Sequence, residues 1–520
     1  MGIKSNGNTD YMADDYSSKG RTIAKNTLML YFRMFFMLLV GLFTSRVVLS
    51  ALGEQDYGIY NVVGGVVAMF TVISGSLNSA VSRFITFEMG RGAQAQLNKV
   101  YSTAVMIQLA LSLIIVILSE PIGLWFIHNK MTIPPQRIPA ACKVLHFSIF
   151  AFVINLMSVP QTASITAHEK MSAYAWTGIL DGMLRLAVAL AIMFSDGDRL
   201  VMYAALMAGV VLVVRMVYGW YCRTHFPECE FRMVFDASLV GRMFSFAGWN
   251  FIGSASGVLR DHGGNILVNL FSSVGVNAAR GVALQLSNSV QGFVTNFMTA
   301  VNPQITKSYA AGDMEYMMSL VRKSSRMSYY LLLVIALPVI FGADLLLDLW
   351  LKEVPEHSVL FVRLFMVFSL SESISHPLIT SMLATGKIRN YQIVVGGLQL
   401  LNLPVSWLLL KLGAVPEVTV MVAIAISQIC FFARLVMLRG MIGLSARGFL
   451  RRVWLNVLGV TASALPLPLL CHLFMPSGML NSCISMMLAM ACSAVSILFM
   501  GCSASERNEI KSLIIKMFRK

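Results

Sequence analysis

Ionisable side chains are sparse in this chain, and several stand inside apolar runs where lipid or protein would surround them. Arg260 lies mid-run, followed by Asp261 and His262 and then by Gly263-Gly264. Charge beside a helix-weakening glycine pair suggests an irregular, cavity-lining segment. Glu372 and His376, four residues apart, share a helix face just ahead of Pro377. They could relay a proton, because histidine titrates near neutrality and burial raises a glutamate toward it. A satisfied polar pair explains the spacing equally well. Asp181 and Arg185 have the same spacing and read first as a structural ion pair, second as a substrate contact. Arg33 stands about two turns inside the first run, with no carboxylate in that run. A guanidinium fork there suits phosphate oxygens. Arg46 lies about 140° around an ideal helix from Arg33, so the two do not easily face one cavity. Arg46, Arg215, Arg363 and Arg434 sit near run ends and are expected to snorkel.

Uncharged groups add a second pattern. Gln285, Asn288 and Gln291, with Thr295, Thr299 and Asn302, fall within an arc of about 120° on one helix. Tight packing could use such a stripe, but three carboxamides favour lining of a central cavity. His168-Glu169 has no metal-ligand partner at useful spacing and reads as a loop. The eight cysteines form no CxxC pair and read as small buried hydrophobes. No metal or cofactor is expected; proton or sodium coupling stays open.

The elements that hold these groups must be transmembrane helices. The 520 residues are 57% hydrophobic and only 12% charged, too little charge to solvate a globule of this size. Apolar runs of about 20 residues can cross a hydrocarbon core as helices. They fall near 26–51, 58–80, 101–119, 144–166, 174–195, 199–221, 244–271, 278–301, 328–350, 358–383, 390–411, 415–438, 453–475 and 480–501, fourteen in all. The second, seventh and eighth are rich in Gly, Ser and Asn. Residues 1–24 are polar, lack a signal-peptide core and are expected to form a disordered cytoplasmic tail.

Loop charge supports this count. With the N-terminus cytoplasmic, 26 of the 40 Lys and Arg fall in cytoplasmic segments, seven in external loops and seven in spans. The external seven are Lys130, Arg137, Lys143, Arg199, Arg280, Lys352 and Lys411. Such asymmetry implies both termini inside and accounts for the net charge of +15 without nucleic acid. The longest external loop, near 120–143, has no room for a folded domain.

The chain also repeats itself. Residues 62–92 resemble 282–312 at an offset of 220: Ala80-Val81 meets Ala300-Val301, Ile85-Thr86 meets Ile305-Thr306, and Gly92 meets Gly312. At an offset of 217, Pro160 meets Pro377, Lys170 meets Lys387 and Tyr174 meets Tyr391. Such an offset spans an even number of helices, which implies two parallel six-helix halves. The expected division is a tail to residue 24, bundles over 25–225 and 226–440, and two added helices with a cytoplasmic tail over 441–520. Parallel halves of this kind belong to transporters with a site between them and alternating access.

Leu52-Gly53-Glu54-Gln55-Asp56-Tyr57-Gly58-Ile59-Tyr60 resembles the short first-loop motif of Wzx-type polysaccharide flippases. Asn302-Pro303-Gln304-Ile305 through Gly312-Asp313 is similar to the end of their eighth span, and the resemblance covers about residues 24–440. It places the chain with the multidrug/oligosaccharidyl-lipid/polysaccharide exporter superfamily. The implied activity is to flip undecaprenyl-diphosphate-linked oligosaccharide, such as O-antigen units, to the outer leaflet of a bacterial inner membrane. The implied partners are the lipid-linked anionic glycan, membrane lipids and other polysaccharide-assembly proteins. Related peptidoglycan-precursor flippases have fourteen spans and use the last two as a lipid-tail groove, a role open to 453–501. The seven arginines within spans face only Asp181, Asp261 and Glu372. That excess suits an anion, with Arg33 and Arg260 on the diphosphate and the carboxamides on the sugars. A cation-coupled drug exporter of the same superfamily would want a first-span acid. A membrane glycan polymerase or ligase would want a large external loop.

Overall fold

The computed structural model describes residues 6–507 apart from 69, 132, 233–235, 352, 476–477 and 505. Lys4, Lys352, Lys511, Lys516, Arg519 and Lys520 lie outside the described residues. The described residues form helices and short connections, with no strand. In chain order the helices are α1 (Asn6–Ala68), α2 (Thr71–Gly90), α3 (Gln94–Asn129), α4 (Ile138–Met157), α5 (Val159–Ala167), α6 (Met171–Ala191) and α7 (Arg199–His225). There follow α8 (Ala237–Phe271), α9 (Val274–Ala311), α10 (Met314–Phe341), α11 (Ala343–Trp350), α12 (Ser358–Ser373) and α13 (His376–Thr385). The last four are α14 (Arg389–Lys411), α15 (Val418–Ile442), α16 (Ala446–Phe474) and α17 (Met479–Gly501).

Among the described residues, ten helices are long and apolar enough to cross a membrane, or eleven if the bent pair α12–α13 is one span. Fourteen were expected. Of the other three expected spans, the seventh and eighth form α8 and α9, of 35 and 38 residues, while the second is divided: 58–68 follows a non-helical break at Gly53 (φ 77°) that splits α1, and 71–80 opens α2. They are helical, but their Gly, Ser and Asn content leaves them outside the apolar set. Residues 6–24 of the expected tail stand at the start of α1. No proline interrupts residues 6–24, and a helix already nucleated by the apolar run adds one hydrogen bond per residue fixed.

Two compact units divide the chain. One comprises Met1–Phe251 and Thr299–Ala311, the other Ile252–Met298 and Gly312–Lys520. In the first, α1 packs along α6, α4 along α7, and α2 along α5. In the second, α10 packs against α12 and α17. Tyr329 hydrogen-bonds Thr461 at 2.8 Å, the Tyr330 hydroxyl donates to the Gly501 carbonyl at 3.2 Å, and Arg326 pairs with Glu506 at 2.9 Å. These bonds fix α16 and α17 to α10.

The backbone carries the sequence offsets further than the identities do. The connection after α2 turns at Gly92 (φ 69°) and that after α9 at Gly312 (φ 80°), 220 residues apart. The connection after α5 turns at Glu169 (φ 58°) and that after α13 at Gly386 (φ 73°), 217 apart. Pro121 inside α3 and Pro338 inside α10 are also 217 apart. The fourth expected span breaks at Ser158 ahead of Pro160, and the tenth breaks at Ile374-Ser375 ahead of Pro377 with a 40° bend. Proline removes an amide donor and displaces the preceding residue from helical geometry, so the same residue breaks both spans. The loops repeat too. Arg137, just before α4, donates to Asp198, the N-cap of α7, at 2.9 Å and also grips Asp56. In the second unit His357, just before α12, meets Glu417, the N-cap of α15, at 2.5 Å.

Glu169 and His168 organise one end of the first unit, which composition alone gave no reason to expect. The Glu169 carboxylate takes Lys307 Nζ at 2.5 Å and Gln304 Nε2 at 2.6 Å, and its carbonyl accepts from Asn26 at 3.0 Å. These bonds compensate for a positive φ that glycine would adopt more cheaply. His168 stacks on Phe226 and meets the buried Glu228 at 2.5 Å. Burial raises the Glu228 pKa, but hydrogen bonds from His168 and Gln94, with the nearby imidazole, outweigh it and leave it lowered. A depressed carboxylate stabilises the fold fully above its ordinary value near 4.3 and loses that contribution as pH falls through the lowered value. Glu228→Gln is therefore expected to flatten the acid limb of a melting-temperature profile in detergent. An unchanged acid limb would remove Glu228 from this role.

The end of α9 lies directly on α2. A Cβ on Gly90 would meet the Lys307 carbonyl oxygen at 2.7 Å and its Cα at 2.8 Å, both backbone atoms. Gly90→Ala is expected to cost about 1–3 kcal/mol, read as a lower Tm of the purified protein. Wild-type stability in this variant would rule out so close an approach.

Candidate functional site

The second unit gathers its charges on α8, α9, α12 and α15. Arg260 does not stand alone. Its Nε donates to Asp261 at 2.8 Å, its Nη2 donates to the same carboxylate at 3.2 Å, and its guanidinium lies 4.7 Å from the centre of the Phe368 ring. The main chain of Asp261 is also engaged, because Arg280 Nη1 donates to its carbonyl at 2.9 Å. Arg280 was expected in an external loop. The structure places it within α9, 3% exposed, with the same nitrogen donating to Asn265 Oδ1. The Phe365 ring centre is 5.5 Å from this guanidinium. Gly264 makes room for it, since a Cβ there would lie 2.3 Å from Arg280 Nη2. The signal was present in the sequence: residue 280 already lies within the 278–301 run.

Glu372 and His376 flank the break between α12 and α13. The Ser427 hydroxyl donates to Glu372, and Arg434, Arg260 and His376 are its charged neighbours. Arg434 corrects a second expectation. It does not snorkel: it is 1% exposed and the bulkiest of the fully buried side chains. Its electrostatic neighbours are Tyr391 and Glu372, while its Nε and Nη1 make no hydrogen bond. Three guanidiniums, on Arg260, Arg280 and Arg434, thus face two carboxylates, on Asp261 and Glu372. The balance is one positive charge.

The α9 carboxamides divide between two jobs. Gln285 and Asn288 line an open cavity of about 490 Å³ with Asn265, Gly281, Leu284 and Ser289. Gln291 instead donates to Ser369 on α12 at 3.1 Å and lies 3.4 Å from Ser287, itself 2.8 Å from Ser369. It serves helix packing at that position.

The first unit has a separate set. The Arg33 guanidinium sits 4.4 Å from the Tyr174 ring centre, and its Nε is buried without a hydrogen-bond partner. Gly178 opens the notch it occupies, because a Cβ there would lie 2.1 Å from that nitrogen. Asp181 is committed to Arg185 through two bonds of 2.9 and 3.0 Å. Arg215 donates to the Met157 carbonyl and to Gln161, at the break between α4 and α5, and so does not snorkel either. No group of three or more potential metal-ligating side chains occurs among the described residues.

The family model of polysaccharide biosynthesis proteins matches residues 23–309, more than half of the chain. The chain belongs to that family. The uncharacterized membrane protein EpsK of Bacillus subtilis (strain 168) is 21% identical over 311 residues. That match covers 58% of this chain and spans only 60% of EpsK. The fold is that of MATE transporters of the MOP superfamily. A MATE crystal structure in the bent conformation superposes with a TM-score of 0.72 at 10% identity, over 81% of this chain and 96% of that one. The Vibrio cholerae MATE transporter VcmN gives 0.69 at 15% identity, over 82% and 98%. A MOP superfamily transporter from Pyrococcus furiosus gives 0.68 at 11% identity, over 81% and 96%. The chain thus combines membership of the polysaccharide biosynthesis family with the fold of MATE transporters and ten or eleven apolar helices of membrane-spanning length among the described residues.

Glu372 is a charged neighbour of Arg434 in the same cluster, so its loss should leave a buried guanidinium less compensated. Glu372→Gln is expected to destabilise by about 3–5 kcal/mol, with much of that recovered in Glu372→Gln/Arg434→Met. Additive losses in a double-mutant cycle of thermal stability would show that the two are not coupled.

Proposed function

We propose that this family member flips an undecaprenyl-diphosphate-linked anionic oligosaccharide from the cytoplasmic to the outer leaflet of a bacterial inner membrane. The helical bundles 25–225 and 226–440 would rock to give alternating access, with both termini cytoplasmic and 441–520 added beside the second bundle. The sign of the interior carries this reading. Arg33 is held by an aromatic face with no carboxylate on it, and the Arg260–Arg280–Arg434 cluster keeps one positive charge over its carboxylates. Arg33 in the first unit and Arg260 in the second are each proposed contacts for the diphosphate. Gln285 and Asn288 would meet sugar hydroxyls, with Gln291 bracing the helix that bears them. Glu372 and His376 are the proposed coupling groups at the α12–α13 break, and Asp181–Arg185 a structural pair. An inside-negative potential favours outward movement of an anion by about 2.3 kcal/mol per charge per 100 mV.

A drug-exporting role for cations would need an acid near the first-span arginine, whereas the α6 carboxylate is already paired with Arg185. The Pyrococcus furiosus transporter has a binding pocket of reverse polarity, which suggests a different function for it, so a shared fold is compatible with pockets of either sign.

Removing the protein should make a lipid-linked glycan accumulate in the cytoplasmic leaflet. Arg33→Ala and Arg260→Ala, at normal protein level, should fail to relieve that accumulation. Full glycan export by Arg260→Ala would sink the diphosphate assignment.

A further inference from the structure

We propose that the cavity on α8 and α9 recognises an acidic sugar, a hexuronate, and that Arg280 is the positioning residue that sets this preference. The inference rests on the flippase reading and names the chemistry of its cargo. Arg280 has donors only, so Asn265 must turn Oδ1 toward it. The Asn265 amide NH2 is then the group left to face the cavity that Asn265 lines. Ser289 donates its hydroxyl hydrogen to the Gln285 carbonyl at 3.0 Å, which leaves an oxygen lone pair outward. Gln285 and Asn288 are exposed on the same wall.

Charge then distinguishes among sugars. None of the lining residues is a carboxylate. The Asp261 carboxylate is engaged by Arg260, so both direct acceptors of Arg280 are uncharged: the Asp261 carbonyl and the Asn265 amide oxygen. Arg280 Nε has no hydrogen-bond partner at all. The Arg280 guanidinium, on a residue only 3% exposed and hydrogen-bonded to the cavity-lining Asn265, therefore projects an incompletely balanced positive field into the cavity. A neutral hexose would gain hydrogen bonds only. A hexuronate would gain those bonds and a carboxylate that meets both the oriented Asn265 amide and the field behind it. The volume of about 490 Å³ suits a sugar unit or two.

The test is titration of the purified full-length chain in lipid nanodiscs with methyl glucuronide, methyl glucoside and inorganic phosphate. The glucuronide should bind about tenfold more tightly than the glucoside. Arg280→Gln should abolish that ratio, and Arg280→Lys, which keeps the charge without the fork, should retain part of it. Asn265→Asp retains a partner for Arg280, so it should fold while neutralising that charge and reversing the donor, and should also lose the preference. Equal affinity for the two glycosides, no saturable glucuronide binding, or an Asn265→Asp variant that keeps the ratio would each overturn the proposal. Phosphate displacing glucuronide at equal affinity would assign the cavity to a lipid diphosphate and overturn it too. The flippase reading is decided separately by the leaflet in which the lipid-linked glycan accumulates, so either can fail without the other.

Discussion

A guanidinium in hydrocarbon must bring its own partners, and this requirement orders the structure more than any other. Each costs about 2.5–3.5 kcal/mol to insert at a helix centre. Lipid repays none of it. Arg215 is repaid by the Met157 carbonyl and Gln161, Arg260 by Asp261, Arg280 by a carbonyl and an amide, and Arg33 by a tyrosine face. Two of these solutions need a helix without a side chain at the contact. Gly178 and Gly264 supply the notches for Arg33 and Arg280, and any Cβ would occupy the guanidinium's volume. The glycines that lower the apolarity of these helices are thus part of what lets them hold charge.

Backbone and chemistry follow different symmetries. The proline breaks, positive-φ turns and loop ion pairs recur at offsets of 217 to 220, so both units are bent alike. The polar side chains do not recur. Gln285 and Asn288 correspond to Gly65 and Ala68 at offset 220, and Glu169 corresponds to Gly386 at 217. A repeated scaffold sets where helices can bend. The side chains placed on one copy only decide what meets those bends: Gln285 and Asn288 on α9, and the Glu169 clasp in the first unit.

How much of this was legible in the sequence depends on the range of the interaction. Periodicity and run length disclose apolar helices, because burial in lipid is a local property of about 20 residues. The three polar helices α2, α8 and α9 were the least secure for the same reason. Asp181–Arg185 was legible because its partners are four residues apart. Arg434 was not, since Tyr391 and Glu372 lie 43 and 62 residues before it and position along a span says nothing about what faces it. Glu169 was missed likewise: Lys307 and Gln304 are 138 and 135 residues away. Arg280 was misplaced by its position near a run end, where a loop and a buried site look alike in composition. Gln291 shows the converse. Its angular position puts it on the stripe with Gln285 and Asn288, but Ser369, contributed by another helix, turns it to packing.

The pairing of Arg260 with its own neighbour Asp261 bears on how an anion could be both held and released. The Asp261 carboxylate gives a diphosphate a competitor on Arg260 that Arg33, held by a tyrosine face, does not have. At an effective dielectric of 20, a charge pair 4 Å apart is worth about 4 kcal/mol, and a phosphate oxygen at the same distance would gain about as much. In the proposed cycle the diphosphate therefore replaces Asp261 on Arg260 in an exchange that is close to balanced, and Asp261 reclaims the guanidinium when the lipid leaves. Adjacent helical residues point about 100° apart, so the Asp261 side chain can be displaced without unwinding α8. Arg280, holding the Asp261 carbonyl, keeps that stretch of main chain in place during the exchange. In the proposed flippase this arrangement would favour turnover over affinity.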